Sequence, residues 1–321
     1  MELLDATAGM FADMEPWQGD VRADCFPSYL GVMTETAFVA EQAPSNQLLP
    51  VNNQGSAPPP TFANGEVFYE QAAIHRAVQD AKGQFNMLEL GGGFAARTVD
   101  AHAALQRDNP LPCRFVVVQA EPTHFEWAKR HMRNNGIDPD AHWLINALVG
   151  IDTMPKLFLL GEGFYGNSIA SDEIITQFLS NLAKGGMVEA AMGRLLRHGS
   201  CGVRQPFDVA DGVRNFDFGF VSSIPLVDIL QTLEHVDLMD VDIQGGEAEV
   251  LPAAMDAINK QVERIHLATH GKELHSHMWD LFFDHGWMCE TDLAPNSLHR
   301  SKWGSFETSD GILDLVNLNL G

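Results

Sequence analysis

The stretch FNMLELGGGFAARTVDAHAALQR, residues 85–107, joins a short apolar strand to a helix through the glycines Gly91–Gly93. A short apolar run that stops at a glycine turn is typical of a strand buried in a parallel sheet. Glycine suits this turn because it has no side chain, so a ligand can come close to the backbone. The stretch therefore predicts the first strand, turn and helix of an α/β domain with a ligand site at the turn.

Strand-like and helix-like segments alternate on both sides of this stretch. Strands are predicted over 114–122, 142–150, 237–244 and 264–271, with WMCETDL and GILDLVNL as a closing antiparallel pair. Helices are predicted over 66–82, 124–136, 186–199 and 272–286. This alternation predicts an α/β fold with a doubly wound, mostly parallel, Rossmann-like sheet of seven strands.

The chain of 321 residues fits one elaborated domain with an N-terminal extension. Residues 1–62 are interpreted as that extension, and they end in the Pro-rich linker PSNQLLPVNNQGSAPPPTF. Residues 63–321 are predicted to form the catalytic domain. Within it, the pattern loosens over 161–225, which is interpreted either as a helical lid over the open end of the sheet or as a peripheral decoration.

Composition excludes several classes of partner. The net charge of −23 disfavours nucleic acid and anionic membrane surfaces, because both need clustered Lys and Arg. The four cysteines show neither a zinc spacing nor a disulfide framework, so a cytoplasmic setting is expected. The acidic N-terminus lacks the features of a signal peptide, and no apolar stretch is long enough to span a membrane.

The glycine turn fits two classes of cofactor. Gly91, Gly93 and Ala96 satisfy the G-x-G-x-x-A pattern of dinucleotide sites. Glu89 argues against a pyrophosphate there, whereas a carboxylate would attract the ammonium group of S-adenosylmethionine. Glu121, at the end of the next strand, could accept both ribose hydroxyls, and it lies 25 residues after Ala96, which is long for a dinucleotide site. These acids favour S-adenosylmethionine.

Four segments in this order, LELGGG, AEPTHFEWAKRHMRNNGID, DLMDVDIQGGEAEVL and RIHLATHGKELH, resemble the FkbM-type methyltransferase family. The resemblance extends from about residue 64 to 321, and it includes SKWGSFETSDGILDLVNLNL near the C-terminus. Its most specific part is the pattern ID-x-x-G-x-E, matched by Val241, Asp242, Gly245 and Glu247. Gln244 departs from the family pattern, which often has glutamate there.

The resemblance implies a class I S-adenosylmethionine-dependent O-methyltransferase. It implies acceptors that are small molecules or saccharides, with the methyl group going to a hydroxyl of a carbohydrate or a glycosylated natural product. It places Asp242 beside the transferring methyl group. The other residues that it assigns to the cofactor are Glu89, Gly91 and Gly93 at the methionine end, Glu121 at the ribose, and Pro122, Thr123, His124, Asn146 and Ala147 around the adenine.

Asp240, Asp242 and His270 are the candidates for the chemistry. A hydroxyl needs a general base before it can attack the sulfonium methyl group, and His270 is predicted as that base with Asp242 orienting it. A second arrangement is a Mg²⁺ site made of Asp240, Asp242 and His270, since hard cations prefer carboxylate oxygens. Tyr165, in the insertion, is interpreted either as a sugar-stacking residue or as a core residue.

Two other functions stay open on the sequence alone. One is an NAD-type oxidoreductase that uses the G-x-G-x-x-A turn, and the other is a non-catalytic scaffold with a methyltransferase fold. The sequence leaves a homo-oligomer open as well.

Overall fold

The computed structural model describes residues 7, 9–39, 55–161, 170, 172–203, 205–209 and 212–320. The described part of the N-terminal extension contains short elements only. These are β1 (Trp17–Gln18), β2 (Cys25–Pro27), β3 (Met33–Glu35), helix α1 (Thr36–Val39) and β4 (Ser56–Ala57). β1 pairs with β4 and β2 pairs with β3, in both cases antiparallel.

The first half of the domain alternates helix and strand as predicted. The elements are α2 (Glu66–Asp80), β5 (Phe85–Leu90), α3 (Ala96–Asp108), β6 (Cys113–Val118), α4 (Pro122–Asn134) and β7 (Trp143–Ile145). α4 begins at Pro122, which suits a first helical position because its missing N–H needs no partner there. The preceding residue, Glu121, caps the helix.

The segment after β7 departs from the prediction of one strand over 142–150. It holds β8 (Leu148–Gly150), β9 (Lys156–Leu160), α5 (Asp172–Lys184), α6 (Val188–His198), β10 (Gln205–Val209), β11 (Gly212–Val221), β12 (Ser223–Pro225) and α7 (Leu226–Leu230). β8 pairs with β12, while β9, β10 and β11 form a separate antiparallel sheet. The chain therefore leaves the central sheet after Ile145.

The second half returns to the sheet. It contains β13 (Val236–Val241), α8 (Glu247–Gln261), β14 (Val262–Thr269), α9 (Lys272–Asp284), β15 (Trp287–Leu293), β16 (Ser297–Ser301), β17 (Gly304–Thr308) and β18 (Gly311–Asn317). The hairpin of β16 and β17 was not predicted. Short 3₁₀ turns cover Phe62–Asn64, Pro139–Ala141 and Leu318–Leu320.

The central sheet has seven strands in the order β15-β18-β14-β13-β5-β6-β7. The five strands from β14 to β7 are parallel, and β18 is antiparallel to both of its neighbours. This confirms the predicted doubly wound, mostly parallel seven-stranded sheet and its closing antiparallel pair. The order reverses between β13 and β5, which is the position where such sheets bind ligands.

The two faces of the sheet pack against different helices. Met239 and Val241 of β13 join an apolar cluster with residues of α7, α8 and α9. Leu238, one residue away on the opposite face, joins a cluster with residues of α2 and α3. All six residues of β13 are buried, as expected for a central strand covered on both faces. Within the described residues, no helix is long and apolar enough to cross a membrane.

The described part of the N-terminal extension packs on the domain. The Tyr29 hydroxyl lies 2.8 Å from Nε2 of His75 in α2. The backbone N–H of Met33 donates to the side chain of Asn135 at 2.8 Å, and the Thr34 hydroxyl lies 3.3 Å from Nε2 of His131 in α4. The extension therefore covers the outer helices through buried polar contacts.

We expect His131 to make the docking of this extension sensitive to acid. Burial lowers the pKa of His131 to about 4, below the usual value of 6.5. Because the pKa of His131 is lower in the folded state than in the unfolded state, its contribution to the free energy of unfolding is complete above pH 6.5. That contribution falls as the pH drops toward 4. The loss reaches about 3 kcal/mol for a shift of this size. Denaturant unfolding of wild type and His131→Gln between pH 7 and pH 4 tests it, and parallel pH profiles would contradict it.

Candidate cofactor cleft and active site

The turn after β5 brings two strand ends into contact. Gly91 has a φ of 82°, and a Cβ atom at this position would lie 1.8 Å from the backbone oxygen of Asp242. The backbone N–H of Asp242 donates to the carbonyl of Leu90 at 2.9 Å. Gly91 is therefore required because the chain after β13 crosses directly over the turn. This contact explains why the glycine run and the D-x-x-G-x-E segment belong to one site.

A cleft of about 340 Å³ opens above these strand ends. Its size lies in the range of small-molecule sites. It is formed by the glycine turn, the end of β6, the β7–β8 connection and the loop after β13. The lining residues are Gly91, Gly93, Val118, Gln119, Ala120, His124, Ala147, Leu148, Val149, Phe158, Asp242, Ile243, Gln244, Gly245, Gly246 and Glu249.

The structure places some of the predicted cofactor residues in this cleft and others behind it. Gly91, Gly93, His124, Ala147 and Asp242 line it. The remaining predicted residues, Glu89, Glu121, Pro122, Thr123 and Asn146, are not among the lining residues. Sequence reasoning missed Gln119 as a lining residue. The position of Gln119 directly after an apolar strand was the available signal.

Glu121 and Asn146 support the wall of the cleft. The Glu121 carboxylate is 5% exposed, and it accepts a hydrogen bond from the backbone N–H of His124 at 2.7 Å. It therefore caps α4, where a negative charge interacts favourably with the helix N-terminus. The Asn146 amide donates to the backbone oxygens of Gln119 and Ala120, at 2.8 and 3.2 Å. Asn146 thus holds the loop that forms one side of the cleft.

Glu89 faces α3. Its carboxylate accepts hydrogen bonds from the backbone N–H and the hydroxyl of Thr98, and from the backbone N–H of Arg97 at 3.3 Å. The side chain is buried, and burial followed by the charge of Asp240 raises the pKa of Glu89. The structure therefore shows Glu89 anchoring the N-terminus of α3 behind the glycine turn.

Glu89 belongs to a row of ionisable residues that crosses the sheet under α2 and α3. Direct register partners follow one another along the row, from Glu89 to Asp240, His266 and Asp314. Nδ1 of His266 lies 2.6 Å from the Asp314 carboxylate. Burial acts to lower the pKa of His266, but Asp314 outweighs it and raises that pKa to about 9. The ion pair of Arg97 with Glu70 lies near this row, since its charges act on Asp240.

This row corrects the prediction for Asp240. Asp240 was expected beside Asp242 and His270 on a polar cleft face, but it is only 7% exposed and does not line the cleft. The reason is the pleat of β13, which turns Asp240 toward α2 and α3. Asp242 follows the last residue of the strand and lines the cleft. The positive charges of Arg97 and His266 reduce the electrostatic repulsion between the neighbouring acids of the row.

Asp242, Gln244, Glu247 and His270 meet at the mouth of the cleft. The Gln244 amide lies 2.9 Å from Oδ1 of Asp242 and 3.0 Å from Nε2 of His270. His270 Nε2 lies 3.3 Å from Asp242 Oδ1, and His270 Nδ1 lies 3.5 Å from Glu247 Oε1. The structure therefore brings together the predicted pair Asp242 and His270. It adds Glu247, from the first turn of α8, and Gln244 between them.

The charges in this group set the protonation of His270. Burial acts to lower the pKa of His270, but Asp242 and Glu247 outweigh it and raise that pKa to about 10. Burial acts to raise the pKa of Asp242, but His270 and Gln244 outweigh it and hold that pKa below its usual value. At neutral pH the pair is therefore an imidazolium beside a carboxylate, and His270 must lose its proton before it can act as a base.

The predicted Mg²⁺ set is also changed by these positions. Among the described residues, Asp242, Glu247 and His270 can each offer one ligand atom within 4.8 Å of the other two. Asp240 is not part of this group, because its side chain lies on the other side of the sheet end. The geometry thus replaces Asp240 with Glu247.

Phe158 of β9, the strand just before the predicted insertion, lines the cleft. α5 and α6 pack with β11 through a separate apolar cluster that includes Phe178, Leu195 and Phe218. Tyr165 lies outside the described residues. A role of this segment as a lid stays a prediction.

Comparisons with known proteins agree with the resemblance. Residues 214–287 match the family model described as the methyltransferase FkbM domain. A protein of Jannaschia sp. (strain CCS1), named "Putative methyltransferase", is 24% identical over 223 residues, which is 70% of this chain and 69% of the relative. Residues 214–287, the part matched by the family model, contain β13, α8, β14 and His270, and therefore the group at the mouth of the cleft.

The solved structures that are similar over most of this chain include two named as methyltransferases. Methyltransferase FkbM from Methylobacillus flagellatus KT matches with a TM-score of 0.39 and 10% identity, covering 73% of this chain and 45% of that one. An O-methyltransferase from Bacillus cereus in complex with SAH matches with a TM-score of 0.38 and 11% identity, covering 88% and 87%.

The family model and the sequence relative confirm the predicted resemblance to FkbM-type methyltransferases. Both matches are to methyltransferases, and they indicate methyltransferase activity for this chain.

Proposed function

We propose that the chain transfers the methyl group of S-adenosylmethionine to a hydroxyl of a carbohydrate or of a glycosylated natural product. One observation carries the proposal. Asp242 lies at the junction of the glycine turn and the open cleft, with its side chain 46% exposed and its oxygen held by Gln244. A carboxylate in this position can receive a hydroxyl next to a cofactor bound on the turn.

The cleft offers separate surfaces to the two ends of the cofactor. Gly91 and Gly93 would lie along the methionine end, where the absence of side chains allows close approach. Gln119, His124 and Ala147 would surround the adenosine end. The positive sulfonium would then lie toward Asp242, whose negative charge favours it. The bound cofactor would supply the methyl group, and the protein would fix its direction.

The acceptor hydroxyl would bind at Asp242. In-line displacement requires the acceptor oxygen to be held close to the methyl carbon, and a hydrogen bond to a fixed carboxylate achieves this. Asp242 is ionised at neutral pH, so it can accept that hydrogen bond and then the proton that the hydroxyl loses as its oxygen attacks the methyl group. His270 positions Asp242 through the contact of 3.3 Å between Nε2 and Oδ1. We therefore propose Asp242, in place of the predicted His270, as the proton acceptor.

The carbohydrate class rests on the family resemblance and on the polarity of the cleft mouth. Gln244 and Glu249 line that part of the cleft together with Asp242. Amides and carboxylates of this kind form hydrogen bonds to several hydroxyls at once. A polyhydroxylated acceptor would use these groups better than an apolar one.

Titration calorimetry of the full chain with S-adenosylhomocysteine and, separately, with NAD tests the cofactor. We expect binding of S-adenosylhomocysteine and none of NAD. The reverse result would overturn the proposal in favour of an oxidoreductase. A screen of carbohydrate and glycosylated acceptors for S-adenosylhomocysteine release then tests the acceptor class, and turnover on hydroxyl-free amines alone would contradict it.

The prediction for Glu121 combines cofactor binding and stability. We propose that the ribose hydroxyls lie within reach of its carboxylate, so that Glu121→Ala weakens binding of S-adenosylhomocysteine. The same change removes the cap of α4 and should cost about 1 kcal/mol of folding free energy. Glu121→Ser is the matched control, because serine can cap the helix but is too short to replace the carboxylate. Equal cofactor affinity in Glu121→Ser and wild type would remove the ribose role.

A further inference from the structure

Glu247 has a carboxylate oxygen without a hydrogen-bond partner. Its side chain is 0% exposed, and Oε1 accepts a hydrogen bond from the backbone N–H of Ile243 at 3.1 Å, while Oε2 has no such partner. Leaving a buried carboxylate oxygen unpaired is costly. The His270 ring faces Oε1 only, so Oε2 still lacks a partner, which points to a further positively charged ligand in the working protein.

His270 shows the same deficit on the facing side. Its Nδ1 atom is buried, lies 3.5 Å from Glu247 Oε1 and has no hydrogen-bond partner. Its Nε2 atom lies 3.3 Å from Oδ1 of Asp242. Ligand atoms that share one metal ion at about 2.1 Å lie roughly 3 to 3.5 Å apart. One imidazole binds a single ion through one nitrogen only, so these two separations do not describe one coordination sphere. One ligand atom from each of Asp242, Glu247 and His270 does lie within 4.8 Å of the other two, which brings three donors around one position. An ion there would replace the proton on that nitrogen of His270.

We propose that Asp242, Glu247 and His270 bind one divalent transition-metal ion at the mouth of the cleft. One imidazole nitrogen with two carboxylates is a ligand set for Mn²⁺, Fe²⁺ or Zn²⁺, whereas Mg²⁺ prefers oxygen ligands alone. This differs from the Mg²⁺ set predicted from the sequence both in the ion and in the use of Glu247.

The site would also define the acceptor, and this part rests on the proposed function. Three protein ligands leave positions open on an ion that takes five or six. Asp242 lies in the cleft, so the open positions would face the bound acceptor. Two adjacent oxygens of the acceptor, as in a vicinal diol, could fill them together. The inferred acceptor class is therefore a saccharide with a chelating pair of oxygens next to the methylated hydroxyl.

A second cluster in the chain provides a matched control. His235 Nε2 lies 3.3 Å from Oδ1 of Asp237 and 3.3 Å from Oε2 of Glu263, at the opposite end of β13 and β14. The residue types are the same. However, its buried carboxylate, Asp237, also accepts a hydrogen bond from the backbone N–H of Asn86 at 2.6 Å. This cluster lies away from the cleft and does not show the unpaired oxygen that motivates the proposal.

Titration of the full chain with Mn²⁺ tests the site. The electron paramagnetic resonance signal of the free ion measures how much Mn²⁺ is bound. We expect one tightly bound ion per chain. Asp242→Asn and Glu247→Gln should each weaken its binding by at least tenfold to a hundredfold. His235→Ala should leave the affinity unchanged. Excess Mg²⁺ should displace the ion poorly, because Mg²⁺ disfavours the imidazole nitrogen.

Three results would overturn the proposal. They are no stoichiometric binding of Mn²⁺, a wild-type affinity for Mn²⁺ in both the Asp242 and the Glu247 variant, and loss of Mn²⁺ binding in His235→Ala. Asp242→Asn provides the decision if Glu247→Gln fails to fold, because Asp242 is half exposed. Calorimetry with S-adenosylhomocysteine on the same samples separates the two proposals. Cofactor binding without Mn²⁺ binding would overturn the metal site and leave the methyltransferase proposal intact.

Discussion

Replacing His270 with alanine is expected to lower the rate of methyl transfer by roughly 10²-fold, as for a misplaced reacting group, while leaving the affinity for S-adenosylhomocysteine nearly unchanged. His270 contacts both Asp242 and Glu247, at 3.3 and 3.5 Å. Without it, the carboxylate that is proposed to receive the acceptor hydroxyl loses its positioning partner. Single-turnover measurements with an acceptor from the screen would give the rate, and calorimetry would give the cofactor affinity.

His277 is the matched control for this variant. It is an exposed histidine on α9, seven positions further along the chain. His277→Ala should leave turnover unchanged. Equal turnover in wild type and His270→Ala would remove His270 from the reaction, whether it acts as a positioning residue, a base or a metal ligand.

Replacing Gly91 with alanine is expected to destabilise the fold by about 2–5 kcal/mol, because two costs add. The φ of 82° is unfavourable for any residue with a Cβ atom, and the new Cβ would lie 1.8 Å from the oxygen of Asp242. The Cβ atom and the Asp242 oxygen are both fixed to the main chain, so no side-chain rotation can relieve the contact. The end of β13 would have to move, so cofactor binding should be lost as well. Denaturant unfolding and calorimetry would measure both effects.

Gly83→Ala separates the two costs. Gly83 has a similar φ of 74°, but a Cβ atom there would meet nothing within 4 Å. This control should therefore show only the conformational cost, roughly 1–2 kcal/mol, and normal cofactor binding. A Gly91→Ala protein that is no less stable than Gly83→Ala would show that the contact with Asp242 is not a constraint.

The fold was largely predictable because strand and helix periodicity is a local property. The central strands appear where the apolar runs predicted them, and the closing pair, β15 and β18, is antiparallel as expected. The exception is 142–150, where β7 ends at Ile145 and β8 pairs with β12. Both halves have strand-like sequences, and only the distant partner β12 decides that the second half leaves the sheet.

The candidate site was predictable in part. The chain positions of Gly91, Asp242 and His270 follow from strand ends, which meet at one edge of a parallel sheet. The directions of the acidic side chains did not follow. Glu89 looks like a cofactor ligand in the sequence, yet its carboxylate accepts hydrogen bonds from the N-terminus of α3. A carboxylate at the end of a strand can face either the helix or the cleft, and the sequence pattern is the same for both.

The sequence by itself determined the order of the elements, the glycine turn and the pairing of Asp242 with His270, since each depends on the local pattern and on the common edge of parallel strands. Only the tertiary structure decided that Asp240 is buried in the row beneath α2 and α3, and that Glu247 completes the group in the cleft. The physical reason is that charge and burial depend on the helices packed above a strand. Glu70 and Arg97 come from α2 and α3, far from Asp240 in the chain, and they become its neighbours only when the chain is folded.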